Sequence, residues 1–309
     1  MGFTVDAFVT NADEKRCREL AAGIAGAGYD GLVFAYGENG SGDFSWEVLK
    51  SIAEKGIPIV TFETALYRDG KTINGLTAAF QDDGDLTRLS LDVLLSYVRG
   101  NANRPVRVIR IGHDRGLPFV DRRSLAFAEY AQENAVEEAA LVNVNDPENL
   151  HHAAWEALAA VLPRFPVGSV DALWSPYDAF IGGCVEALAA LGRRDIAVVS
   201  IGISNDDIRL MQSHPEIWLA SVAVDPRLAG VVNTRVLAAK LAGEVLPDTI
   251  SLAPQLLKAA NLNSAVNIAN LSVMVPSWGD ERGLFDHYQW MDDLKKATEK
   301  YLRIPPVAQ

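Results

Sequence analysis

Residues 171–204, DALWSPYDAFIGGCVEALAALGRRDIAVVSIGIS, join a short apolar strand, a polar turn, an Ala/Leu helix and a second apolar strand without interruption. A helix between two strands carries the chain back to its starting edge, so the two strands run parallel and the segment is a βαβ unit. Neither strand alternates apolar with polar residues, as expected of strands covered on both faces. Ligands of open α/β sheets sit beyond the carboxyl ends of the strands. Here that position is taken by Trp174, Ser175, Tyr177 and Asp178.

The same rhythm runs through most of the chain. Residues 3–10 alternate as a strand, and Asn11 or Asp13 caps a helix that extends to about Ala27. GYDGLVFAY reads as a buried parallel strand, GENGSGDF as a Gly-rich loop and residues 46–55 as a helix. IPIVTF, a hairpin-like turn at Asp69-Gly70, a short strand over 76–80 and a helix over 84–98 follow. A second series starts at VRVIRIG (106–112). It continues through a helix over 123–134, a strand over 140–144, a helix over 151–162, the βαβ unit above, a short helix over 206–212 and a strand over 218–224. Residues 226–241 form a long helix. Beyond Pro254 the rhythm stops, and an Asn-rich passage, a short apolar strand, a turn and an amphipathic helix lead to a frayed PPVAQ end. The fold class is α/β, with parallel sheets covered by helices.

With 309 residues, 49% hydrophobic and 22% charged, the chain supports two domain-sized cores. Its net charge of −12, from 28 Lys+Arg against 40 Asp+Glu, argues against nucleic acid or anionic membrane surfaces as partners. No run reaches the roughly 20 apolar residues needed to span a bilayer, so no direct membrane insertion is expected. A basic segment followed by an apolar core is also missing at the N-terminus, so no secretion signal is expected within these residues. Cys17 and Cys184 lie far apart and read as two helix thiols rather than a disulfide framework.

Catalytic motifs are not found. GIAGAG (23–28) falls at the end of a helix and cannot aim backbone N–H groups at a phosphate. There is no GxSxG, P-loop, HExxH or CxxC. Adjacent His151 and His152 point to different helix faces and make a poor metal pair. The runs Asp82-Asp83 and Asp206-Asp207 read as solvated loop or capping residues. No catalytic residue, metal or cofactor is assigned, and the chain is not read as an enzyme.

GYDGLVFA, EKGIPIVTFE, RRSLAF, SPYDAFIGG and LASVAVDPRLAG, in this order, resemble the periplasmic sugar-binding proteins of ABC importers in the ribose-binding group. These share the type I periplasmic binding fold with effector domains of LacI-type repressors, and the resemblance covers about residues 2–268. It implies two Rossmann-like lobes joined by a three-crossing hinge and closing on a small solute. The lobes would hold 1–104 plus 225–250 and 105–224 plus 251–270, with 271–309 as an extension. It also implies a monosaccharide or polyol ligand, an importer permease as partner and a periplasmic or extracytoplasmic location. The family pattern begins one βα unit earlier. A late start site, a shortened chain, or replacement of that unit by the strand-loop-helix tail would each account for the difference.

The resemblance implies a set of binding residues. Arg123, four residues before Phe127, matches a sugar-clamping arginine whose planar fork suits vicinal hydroxyls; Arg122 is the alternative if the register slips, and an ion pair on a helix face is the plain role. Asp178 binds solute or caps its helix. Tyr177 stands where the family places a polar amide. Trp174 stacks on a sugar face or fills the core. Glu63 ends its strand as an acceptor, with Thr64 in place of a following arginine. Gln81, Asp82, Tyr36 and His113 end strands at the same edge, Asp82 with capping as its other role. Ile201-Gly202 replaces an apolar-aspartate pair, with Ser204 and Asn205 beyond it, and Val224 replaces a polar amide, so ribose itself is not expected. The alternatives are the effector-sensing domain of a LacI-type regulator, a chemosensory receptor, and an interaction domain that binds no solute.

Overall fold

A computed structural model describes residues 3–11, 13–36, 42–98, 104–114, 117–146, 148–279 and 283–302. The chain divides into two units, Met1–Phe80 with Arg227–Ile250 and Asp280–Gln309, and Gln81–Pro226 with Ser251–Gly279.

In the first unit, β1 (Leu32–Phe34), β2 (Ile59–Thr61) and β3 (Leu76–Gln81) run parallel, and β9 (Thr249–Leu252) follows them in the order β1-β2-β3-β9. Helix α1 (Glu14–Gly26) starts where Asp13 accepts the Arg16 N–H at 3.0 Å, a side-chain N-cap. Together with α2 (Asp43–Ala53) it covers a core of Leu49, Ile52, Ile59, Leu66 and Leu76. Helix α8 (Pro226–Leu241) carries buried Arg235, which donates to the Leu284 carbonyl at 2.6 Å and pairs with Asp286. Trp290 of α9 (Gln289–Leu302) donates to Glu244 at 2.9 Å. These bonds tie the tail to α8 and to the turn that follows it.

The second unit is a six-stranded sheet in the order β10-β8-β7-β6-β4-β5. It comprises β4 (Val106–Gly112), β5 (Val136–Asn143), β6 (Ala172–Ser175), β7 (Ala197–Ile201), β8 (Trp218–Ala223) and β10 (Gln255–Lys258). All neighbours are parallel except β10 with β8. One face packs on α5 (Leu150–Val161), α6 (Asp178–Ala190) and α7 (Asn205–Ser213), through Leu158, Phe180, Val185, Leu188 and Ile208 against Leu173 and Val198. The other packs on α3 (Asp83–Val98) and α4 (Pro118–Glu133), through Leu86, Leu91, Leu94 and Phe127 against Ala172, Trp174 and Val199. Neighbouring strand residues thus face opposite cores, which is why these strands read as continuous apolar runs. Helices α5 and α6 approach so closely that a Cβ on Gly183 would lie 1.9 Å from the His151 carbonyl oxygen.

Four expectations change. Residues 3–10 form no strand and are almost wholly exposed; alternation prepares a strand, but a strand needs a paired partner, and here the Tyr29 hydroxyl donates to Asp6 at 2.7 Å, its ring meets Phe8 edge-on and the Thr10 carbonyl accepts the Asp13 N–H at 3.0 Å. Helix α3 belongs to the second unit, so the first division falls after Phe80 and not at 104, because its apolar face lies against Phe127, Trp174 and Val199. The tail, expected as a separate extension, groups with the first unit after Gly279, beyond the three changes of unit at Phe80, Pro226 and Ile250. The expected tail strand is a 3-10 turn, Ile268–Val273, so among the described residues the tail adds a helix to the first unit and no strand to its sheet. Residues 37–41 of the Gly-rich loop and the PPVAQ end lie outside the described residues.

Candidate functional site

The carboxyl edge of the six-stranded sheet gathers five of the eleven expected binding residues, Arg123, Asp178, Tyr177, His113 and Ser204. Strand β6 ends at Ser175, whose hydroxyl donates to the Tyr177 carbonyl at 2.8 Å and fixes the turn into α6. Pro176 in that turn offers its carbonyl to Arg123. The guanidinium of Arg123, only 3% exposed, donates from Nη1 to this oxygen and from Nε to Asp83 Oδ1, both at 2.7 Å. It lies over the Phe119 ring, 5.0 Å from the centroid. Arg122 donates from Nε to the other Asp83 oxygen at 2.7 Å. Two guanidinium groups therefore share one buried carboxylate, and the cluster keeps one net positive charge.

Asp178 begins α6 half-buried, and one of its oxygens accepts the Ala179 N–H at 3.0 Å. Burial pushes its carboxyl up to about 6, helped by the negative charge of Asp207 and opposed by Arg123. Burial raises Asp207 as well, against its hydrogen bonds to Ser204. Ser204 and Asp207 form a capping box at α7: the Ser204 N–H donates to Asp207 Oδ2 at 2.7 Å, and the Ser204 hydroxyl accepts the Asp207 N–H at 3.2 Å.

A ring cluster borders these charges. Tyr177 meets Phe119 edge-on at 5.0 Å and Phe180 edge-on at 5.2 Å, and His113 stacks on Phe180 at 5.8 Å. Tyr177 and His113 are both half-buried. The arrangement offers a fixed cationic donor, two carboxyls and aromatic edges, a combination suited to a small polar molecule with apolar C–H faces.

Other expected residues are placed differently. Trp174 is wholly buried on inner strand β6, tilted against Phe127 at 5.1 Å and donating from Nε1 to Ser90 at 2.8 Å. It is a core residue with no accessible face for stacking, because the residue's side of the sheet is covered by α3 and α4. Asp82 takes its capping role, accepting the Asp85 N–H at 2.9 Å. Gln81 is half-buried at the end of β3. Asn205 is exposed and accepts the Ile268 N–H at 2.9 Å, which anchors the 3-10 turn. In the first unit, the Tyr36 N–H donates to Thr64 at 3.1 Å and its ring lies 4.7 Å from Phe44. Glu63 is exposed just past β2 in a left-handed conformation, φ 53°.

Asp83, Asp207 and Phe119 were not among the expected site residues. Their sequence signal is slight: Asp83 and Asp207 each end a pair of aspartates at a helix start, a pattern shared with ordinary capping. Among the described residues no group of three His, Cys, Asp or Glu is placed to hold a metal ion, and no helix is long and apolar enough to cross a membrane.

Two α/β units with parallel sheets, one presenting this polar edge, define a binding protein of the type I periplasmic class. Residues 2–244 match the family described as the periplasmic binding protein domain, and the chain belongs to that family. It is similar to the crystal structure of a sugar ABC transporter from Yersinia enterocolitica subsp. enterocolitica 8081, at 34% identity and TM-score 0.76 over 90% of this chain and 81% of that one. The fold recurs in a 5-methylthioribose transporter solute binding protein from Thermotoga lettingae TMO in complex with 5-methylthioribose, at 22% identity and TM-score 0.76 over 92% and 84% of the two chains. It recurs again in a carbohydrate transporter solute binding protein from Agrobacterium radiobacter in complex with D-arabinose, at 13% identity and TM-score 0.65 over 82% of each chain. No curated protein matches the chain.

Proposed function

We propose that this chain is a non-catalytic solute receptor that takes up a monosaccharide or polyol outside the cytoplasm and delivers it to the membrane permease of an ABC importer. The observation that carries the reading is Arg123: a buried guanidinium held from two sides by Asp83 and the Pro176 carbonyl, beside the half-buried carboxyl of Asp178. The likeness to the Yersinia sugar transporter supports the sugar class, and the structures named above are all of transport proteins, which favours import over effector sensing.

In this reading Arg123 donates to solute hydroxyls, Asp178 accepts from them, and Tyr177 and Phe119 present ring edges to the C–H face. His113, stacked on Phe180, borders the same edge.

A thermal-melt screen against D-ribose, D-arabinose, 5-methylthioribose, D-glucose, D-galactose and common polyols tests it. A ligand at roughly 1,000 times its Kd stabilises the native state by about 4 kcal/mol and moves the midpoint by several degrees. A selective shift is the expected result. A cooperative melt that none of these solutes moves would overturn the reading.

A further inference from the structure

Gly202, just past β7, adopts φ 97°, a conformation that strains any residue with a side chain. Its backbone is pinned to β8 on both sides: its N–H donates to the Val222 carbonyl at 2.9 Å, and its carbonyl accepts the Ser221 hydroxyl at 2.5 Å. A Cβ at this position would lie 2.7 Å from Asp178 Cγ and 3.0 Å from both carboxylate oxygens. The backbone side of that contact cannot give, so the carboxyl is what must move. The glycine backbone is held by the sheet, and Asp178 sits at the fixed start of α6.

The surroundings of the carboxyl are equally constrained. Asp207 faces it from α7, locked by its capping box, and Arg123 faces it from α4. Behind these, Asp83 of α3 and Arg122 of α4 complete the Arg123 cluster. His151 of α5 acts on Asp207 and is bonded to Glu186 of α6 at 2.9 Å.

We infer that Gly202 is the positioning and specificity-determining residue of this site: its missing side chain makes the space in which the Asp178 carboxyl lies, so the acceptor for solute hydroxyls is supplied from the start of α6 and not from the end of β7. This rests on the solute-receptor reading above. A side chain at 202 displaces the carboxyl from this buried place, which moves the acceptor and changes which hydroxyl pattern fits. An ionised acceptor also makes affinity fall as the pH drops through the titration of Asp178, near 6.

The test uses the full chain with Gly202→Ala and Asp178→Asn. Titration of the Asp178 carboxyl carbon by NMR is expected to show a midpoint near 6 in the wild type and a value closer to that of an ordinary carboxylate in Gly202→Ala. Calorimetry with D-ribose, D-arabinose and 5-methylthioribose is expected to show at least about a tenfold loss in Gly202→Ala for whichever sugar binds the wild type. Asp178→Asn keeps the side-chain shape, serves if Gly202→Ala does not fold, and is expected to abolish the pH step in affinity. An unchanged Asp178 titration in Gly202→Ala, unchanged sugar affinity in that variant, or a pH step that persists in Asp178→Asn overturns the inference. If none of the three sugars binds the wild type, the specificity assignment falls with the sugar reading, while a displaced titration in Gly202→Ala still upholds the positioning.

Discussion

Arg123 Nε lies 2.7 Å from Asp83 Oδ1 in the interior of the second unit, with the two side chains 4% and 8% exposed. Residues 83 and 123 belong to different helices, α3 and α4, so the pair joins the two helices on that face of the sheet. It also fixes the guanidinium before any solute arrives. A preset donor loses less conformational freedom on binding than a surface arginine does.

Breaking this pair leaves a buried charge unmatched. Arg123→Met is expected to destabilise the fold by about 3 kcal/mol in urea unfolding, the low end for a buried pair because Arg122 still neutralises Asp83. Arg122→Met, at a position more exposed to water, is expected to cost under about 1 kcal/mol. Equal losses would contradict the assignment of Arg123 as the inner member.

The raised carboxyl of Asp178 sets a pH dependence with a definite sign. Between its ordinary value of 3.8 and about 6, the folded state holds the proton more tightly than the unfolded chain. The associated stability is fully present below about pH 4 and is lost as the pH rises through about 6. Asp178→Asn removes this term, so the variant is expected to be more stable than the wild type by about 3 kcal/mol near pH 8 and little different near pH 4. Urea midpoints at the two pH values check this. A difference that does not depend on pH would refute it.

Trp174 separates packing from binding. Trp174→Phe removes the bond to Ser90 and leaves a gap against Phe127, at an expected cost of about 1–2 kcal/mol. Sugar affinity in this variant is expected to stay within about twofold of wild type. A large affinity loss in a folded Trp174→Phe would return the residue to the site.

Cys184 is wholly buried on α6, and burial pushes its thiol far up. The thiolate is the reactive form, so Cys184 is expected to resist an aromatic disulfide reagent in the native protein and to react once the chain is unfolded in urea. Cys17 is also buried. Rapid labelling of Cys184 under native conditions would show that α6 opens locally.

The strands of the second unit were legible because a strand covered on both faces carries an apolar run that needs no partner to be recognised. β6 was expected over 171–175 and spans Ala172–Ser175. Residues 3–10 misled for the complementary reason: alternation is a local property, whereas a strand exists only where another strand offers an edge. The helix at 84–98 was recognised, but its sequence shows an apolar face without saying which sheet that face meets. Arg123 was legible as a residue, yet its partner Asp83 was not. Adjacent aspartates at a helix start look like solvent-facing caps until α4 brings two arginines onto one of them. Asp207 was hidden in the same way, and Gly202 was visible only as a missing carboxylate.

The most direct test of the solute-receptor account is titration calorimetry of the panel sugars into the wild type and into Arg123→Lys, at a pH near neutrality. The account predicts saturable one-to-one binding of at least one sugar by the wild type. It also predicts at least about a tenfold weaker affinity in a folded Arg123→Lys, because an ammonium cannot reproduce the planar fork held between Asp83 and Pro176. No saturable heat from any sugar, or equal affinity in the two proteins, would contradict it.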